Sequence, residues 1–208
     1  MSARVEWLDV AGDREVWQSV GLVVGDDGVV PLMGTSLRIV PPATDAEVGI
    51  VGWALSGVDE GLDGTDIDGL PTRVVDPAGP VFGHHAIGAS GLDHVVVLTP
   101  DLERTTGAVE AATGCELKRI REVGEMRQGF HRIGRGGLIV EVVSRPDVPD
   151  GPARFWGLVL NVDDLDAACV RIGDGRVSPP KDAVQPGRRI ATISSDVGLG
   201  LPVALMTT

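Results

Sequence analysis

Two segments place a side chain capable of chemistry inside an apolar run. His94 lies in Leu92-Asp-His-Val-Val-Val-Leu98 and Glu141 in Gly137-Leu-Ile-Val-Glu-Val-Val143. Read as strands, the first puts His94, Val96 and Leu98 on one face, and the second puts Ile139, Glu141 and Val143 on one face. A carboxylate buried alone is costly, so Glu141 needs a partner; a metal, an arginine or a histidine could serve. Imidazole plus carboxylate suits Fe, Zn, Mn or Ni, and the residue types do not choose among them. The alternative is a buried His94–Glu141 hydrogen-bonded pair.

Further residues are weighed for substrate binding. Arg127 and Arg188 occupy comparable middle-strand positions in Met126-Arg-Gln-Gly-Phe130 and Gln185-Pro-Gly-Arg-Arg-Ile190. An inward arginine would bind a carboxylate or phosphate bidentately; an outward one would pair with an acid. Arg188 and Arg189 point to opposite faces of a strand, so at most one faces inward. His131 shares a face with residues 127 and 129 and could face the same cavity, or sit at an edge. Trp156 could line a pocket, and Trp53 likewise, although core packing accounts for either. His84 and His85 read as part of a solvated linker. Cys115 and Cys169 are not spaced as a metal pair and read as small buried hydrophobes. The P-loop, nucleophile-elbow and H-E-x-x-H patterns are absent.

The elements that must position these residues are clearest in the second half. Leu92–Leu98 reads as a strand. Thr99-Pro100 opens a helix, with Thr99 as cap, and Gly114 ends it. Strands are expected near Glu116–Glu122, Met126–Ile133 and Gly137–Val143, so the order is β-α-β-β-β. After the turn-rich Ser144–Pro152 stretch the order recurs: a strand at Trp156–Val162, then a helix capped by Asp163 or Asp164 and ended by Gly173. Weaker strands follow near Arg176-Val177, at Arg188–Ser194 and at Leu201–Met206. Tandem repeats of this kind decide fold class: α+β, with two βαβββ modules (91–145 and 155–208) forming a cupped mixed sheet. The stretch Asp76–Gly91 is the linker to residues 1–90. These are read as an abbreviated, related half with a strand at Arg4–Val10, a helix over Asp13–Val24 and two strands ending at Val40. Trp53-Ala-Leu-Ser is aligned with Trp156-Gly-Leu-Val, and Arg73-Val74 with Arg176-Val177.

Composition limits the partners. The formal net charge of −12 argues against nucleic acid and anionic membrane surfaces. Lysine occurs only at Lys118 and Lys181. No apolar run reaches the length of a membrane span, and MSARVEWLDVAGDREV lacks the basic-then-apolar pattern of a secretory signal. A cytoplasmic protein, monomeric or homodimeric, with a small-molecule ligand is the expectation.

Gly91-Leu-Asp-His-Val-Val-Val-Leu-Thr-Pro-Asp-Leu102, followed by Gly137-Leu-Ile-Val-Glu-Val-Val143, resembles the vicinal-oxygen-chelate superfamily. Glyoxalase I, extradiol dioxygenases, methylmalonyl-CoA epimerase and bleomycin-resistance proteins belong to it. The resemblance implies a divalent metal in the cup, held from the first and last strands of each module. It puts His94 on a first-strand ligand position and Glu141 on a last-strand one. In the second module the matching positions carry Gly157 and Ala204, which supply no ligand. In the first half Arg38 stands at a last-strand position. A third donor would have to come from His84, His85 or His131. The resemblance implies either a metal-dependent lyase, isomerase or dioxygenase acting on a small oxygenated metabolite, or a metal-free binding protein of the same fold. It leaves open which of the two this chain is.

Overall fold

The computed structural model describes residues 2–44, 47–79 and 81–208. Met1, Asp45, Ala46 and Pro80 lie outside them, Pro80 within the expected linker. The first half runs β1 (Arg4–Ala11), α1 (Arg14–Ser19), β2 (Val29–Val30), β3 (Ser36–Val40), β4 (Gly49–Ser56), a 3-10 turn at Glu60–Leu62, β5 (Asp66–Ile67) and β6 (Leu70–Val74). The second half runs β7 (Ala89–Thr99), α2 (Leu102–Thr113), β8 (Leu117–Val123), β9 (Met126–Arg132), β10 (Ile139–Ser144), β11 (Arg154–Val162), α3 (Leu165–Ile172), β12 (Lys181–Asp182), β13 (Arg189–Thr192), a 3-10 turn at Ser195–Val197 and β14 (Val203–Thr207). None of the helices among the described residues is long and apolar enough to cross a membrane.

The fold is α+β with two mixed sheets. The second-half sheet has eight strands in the order β12-β13-β14-β11-β7-β10-β9-β8. Two βαβββ modules meet at its centre, where β7 and β11 run antiparallel. Each module closes by a parallel pairing, β7 with β10 and β11 with β14. The six-stranded sheet of the first half, β2-β3-β1-β4-β6-β5, repeats that plan with one strand fewer per module. Its centre is the antiparallel β1–β4 pair, flanked by parallel β3 and β6.

The register makes the repeat specific. A bulge leaves Glu6 unpaired between Val5↔Leu55 and Trp7↔Ala54. A second leaves Asp93 unpaired between Leu92↔Leu160 and His94↔Val159. Laid on these bulges, Leu8↔Trp53 matches Val95↔Leu158, and Asp9↔Gly52 matches Val96↔Gly157. In the second module of each half the last strand is entered through Gly-Leu-Pro, at 69–71 and 200–202. Trp53 therefore corresponds to Leu158, not Trp156, and Arg73 to Ala204 rather than Arg176. Both strands carry a further bulge at the same place, Val51 in one and Trp156 in the other, so matching tryptophan to tryptophan put the sequence alignment out of register.

Local chemistry explains the helices. Asp101, not Thr99, caps α2 through Arg104 N–H; Thr99 instead bonds the backbone of Asp101. Gly114 ends α2 with φ +65°, a conformation in which glycine carries no Cβ penalty. Asp164 caps α3. α1 stops at Ser19, short of the expected Val24, because Gly21 turns the chain with φ +92°. Arg176-Val177 is no strand; Val177 makes only an isolated bridge to Ile193.

One apolar core serves both halves. Leu8, Leu37 and Trp53 from the first sheet join Val95, Val140, Leu158 and Leu205 from the second in a single cluster. The Trp53 ring meets Phe155 edge-on, with centroids 5.5 Å apart. The linker is anchored as well. His85 is buried, with Nδ1 accepting from Val23 N–H at 3.0 Å and Nε2–H donating to the Pro31 carbonyl at 2.9 Å. Burial holds its pKa below the usual histidine value, against the Pro31 bond. The reading of His85 as solvated is thereby corrected; His84 is exposed.

Candidate functional site

The concave face of the eight-stranded sheet forms a cup of about 300 Å³. β7 contributes His94, Val96 and Leu98, and β10 contributes Glu141 and Val143. The alternation expected from the two apolar runs therefore holds on the cup face. The bulge adds what alternation does not foresee. It re-aims Asp93 so that its carboxylate lies beside the imidazole of the next residue, Oδ2 to Nδ1 at 2.7 Å. Bulges commonly turn a side chain in this way.

A chain of polar groups crosses the end of the cup. Arg188 Nη1 donates to Asp93 Oδ1 at 2.7 Å, and its Nη2 to Asn161 Oδ1 at 2.6 Å. Asp93 accepts at His94 Nδ1, so that nitrogen carries the proton and Nε2 faces Glu141 Oε2 at 3.4 Å. Gln128 Nε2 donates to the other Glu141 oxygen at 2.6 Å. The Gln128 carbonyl oxygen is buried without a partner among the described residues.

The two carboxylates are tuned in opposite directions. Burial pushes Asp93 up, but the hydrogen bonds and charges of His94 and Arg188 outweigh it and hold the group below the ordinary carboxylate value. Burial also pushes Glu141 up, and here His94, Gln128 and Arg121 do not offset it. Asp93 stays ionised and fixes the imidazole, while Glu141 is biased toward its neutral form. A raised carboxyl beside an oriented imidazole is suited to holding or passing one proton.

The other sequence-derived residues separate. Trp156 lines the cup, 41% exposed, with the Arg145 guanidinium 5.9 Å from its ring centroid. Arg188 enters the polar chain rather than the open cavity. Arg127 and His131 lie on the opposite face of β9, because Met126 and Gln128 take the cup side. Arg127 pairs with Glu103 of α2 at 2.7 Å. His131 is buried and donates from Nδ1 to the Cys115 carbonyl at 2.9 Å; burial keeps its pKa low against that bond. Arg189 is outward, paired with Asp166 at 2.6 Å. Sequence reasoning missed Asp93 and Gln128; an acid directly before His94 in an apolar run was the one available signal.

The metal implied by the resemblance can be tested against these donors. His94 and Glu141 are the donors present. At Gly157 an added Cβ would lie 2.6 Å from the Pro202 carbonyl oxygen, so backbone fills the place of a third side chain. Ala204 is packed with Val159 and Met206. His84, His85 and His131 do not line the cup. Among the described residues no group of three or more His, Cys, Asp and Glu is placed to hold a metal. Transition-metal sites in proteins ordinarily take about three or four protein ligands, so this donor set does not fit a resident ion.

Residues 91–192 match the family model of the Glyoxalase/Bleomycin resistance protein/Dioxygenase superfamily. That part of the chain is similar to this superfamily. A triple mutant of 4-hydroxymandelate synthase from Streptomyces coelicolor superposes with a TM-score of 0.67 at 16% identity, covering 98% of this chain and 92% of that one. A xylose isomerase-like TIM barrel/4-hydroxyphenylpyruvate dioxygenase fusion protein superposes with a TM-score of 0.67 at 10% identity, covering 98% and 48%. Methylmalonyl-CoA epimerase from Mycobacterium tuberculosis aligns with 58% of this chain and 89% of its own, at 19% identity and a TM-score of 0.49. For the first two the likeness is one of fold. No curated protein matches the chain.

Proposed function

We propose that the cup of residues 91–208 is a small-molecule binding site that works without a resident metal. Its ligand is a mainly apolar molecule carrying one hydroxyl or carbonyl oxygen. That oxygen meets the His94–Glu141 pair, while Val96, Leu98, Val143 and Trp156 surround the body. The observation that carries this reading is the His94–Glu141 pair, Nε2 to Oε2 at 3.4 Å, at the end of a mainly apolar cup where burial raises the Glu141 pKa. A neutral carboxyl can donate to a ligand oxygen, and His94 Nε2 can receive or return that proton. Residues 1–90 are read with it as an abbreviated copy of the same two-module plan.

A second reading has one observation in its favour. A metal-bound histidine usually has a carboxylate behind its other nitrogen, and Asp93 stands there. In that reading His94 and Glu141 would be two ligands of a metal whose further ligands come from outside the described residues, and the chain would be a lyase, isomerase or dioxygenase.

Elemental analysis of the purified chain beside the His94→Ala variant, with thermal melting in p-cresol, separates the two. The first reading expects no stoichiometric metal after incubation with Fe(II), Zn, Mn and Ni. It also expects melting to rise with p-cresol in the wild type but not in Ala204→Phe, whose ring fills the cup. One metal per chain, lost in His94→Ala, would overturn it in favour of the second.

A further inference from the structure

The first sheet has a cup of its own, about 480 Å³ in volume, lined by Glu6, Trp7, Val29 and Arg38 together with Leu32 and Leu37 of the shared core. By register its residues match those of the other cup. Glu6 stands at the bulge where Asp93 stands, Trp7 takes the place of His94, and Arg38 that of Glu141. Acid, imidazole and carboxyl have become acid, indole and guanidinium. Where one cup has a carboxyl, the other has a cation.

These groups are built in rather than loose. Glu6 is buried, accepting from the Ser56 hydroxyl and, at 3.1 Å, from Ala78 N–H. Arg4 Nε lies 3.8 Å from its Oε1. Asp9 accepts from Arg38 Nε at 2.6 Å. Arg38 stacks on Trp7, its guanidinium carbon 5.0 Å from the ring centroid. This leaves both Nη groups of Arg38 without a hydrogen-bond partner among the described residues. The indole N–H of Trp7 is buried and has no acceptor among the described residues. Arg38 lines the cup, so its two Nη groups can meet a ligand that accepts twice. Val29, Leu32 and Val81 line the rest of the cavity.

We propose that this cup binds a small organic carboxylate with an apolar body. The carboxylate would sit end-on against the two Nη groups of Arg38, a fork suited to its two oxygens. The apolar body would lie along Val29, Leu32 and Val81. Arg4 at the mouth and Arg73, exposed on the same face, add positive charge to an otherwise acidic chain. The site is separate from the one around His94, and neither proposal depends on the other.

Calorimetric titration of the full chain with sodium hexanoate tests it, with hexan-1-ol as the neutral counterpart. Saturable one-to-one uptake of hexanoate is expected, with hexanol at least about tenfold weaker, the usual scale of a charge-assisted bond. Arg38→Met should weaken hexanoate about tenfold or more. Arg38→Lys keeps the charge and the pairing with Asp9 but loses the fork, and should fall between; it stands in if the methionine variant shows a disturbed circular dichroism spectrum. Ala204→Phe, which fills the other cup, should leave hexanoate binding unaltered. No saturable uptake of hexanoate or phenylacetate would overturn the proposal. So would equal binding of hexanol, or a loss that follows Ala204→Phe instead of Arg38.

Discussion

The two cups share a framework and differ in what it carries. Each has a central antiparallel strand pair, a bulged acid one residue before an aromatic ring, and a proline carbonyl pressed against a glycine of the neighbouring strand. In the second half the ring is His94 and the opposing strand supplies Glu141; in the first, Trp7 and Arg38. The backbone device persists while the side chains change sign. This teaches that the bulge is a positioning element independent of the chemistry it presents. The family match, residues 91–192, covers the half that carries this histidine and glutamate.

The sharpest challenge to the correspondence is a pair of tryptophan deletions. If register governs, Trp53 is the partner of Leu158 deep in the core, and Trp156 is a rim residue at a bulge. Trp53→Ala should cost about 3–5 kcal/mol, as large core truncations do, and Trp156→Ala under about 1 kcal/mol. Urea denaturation measures both, and similar losses at the two sites would break the assignment.

The bulged acids give the next contrast. Asp93 holds Arg188 and His94, whereas Glu6 is held by neutral donors and a distant Arg4. Asp93→Asn should therefore cost about 2–3 kcal/mol, because it strands a part-buried guanidinium. Glu6→Gln should cost nearer 1 kcal/mol, the worth of an ordinary hydrogen bond. Asp93 has its pKa lowered by folding, so its stabilisation is complete above the unfolded value and disappears as pH falls through the folded one. Acid unfolding of the wild type should be steeper than that of Asp93→Asn; matching curves would remove Asp93 from the account.

The glycines give the smallest difference. A Cβ at Gly157 would stand 2.6 Å from the Pro202 carbonyl oxygen, and one at Gly52 would stand 3.1 Å from that of Pro71. Gly157→Ala should destabilise by about 1–3 kcal/mol through overpacking, and Gly52→Ala by less. Equal losses in thermal melts would mean that the close approach in the second cup relaxes freely.

Much of the second half was legible in the sequence because each element there carries its own punctuation. Apolar alternation marks β7 and β10, Asp164 and Gly114 cap helices, and Gly124 marks a hairpin turn. The contact between His94 and Glu141 follows from strands that pair in parallel. Three things were hidden. Alternation sends Asp93 away from His94, and only a bulge, which has no reliable sequence mark, brings it back. The face of β9 was undetermined, since Met-Arg-Gln-Gly-Phe-His-Arg has no apolar side to choose by; Gly129 takes the helix side, where an added Cβ would meet Thr106 at 2.9 Å, and this carries Arg127 and His131 with it. In the first half the helix of the second module has shrunk to a turn at Glu60–Leu62, leaving no 3.6-residue pattern to find.

The single apolar cluster running from Leu8 and Trp53 to Leu158 and Leu205 has a thermodynamic consequence. Neither sheet can open without stripping apolar surface from the other, so the halves should melt in one cooperative transition. A molecule bound in either cup then raises the same midpoint, by mass action on one shared folded state. Occupancy of one cup protects the other half from unfolding without any change in shape, so the chain is linked energetically across its two faces.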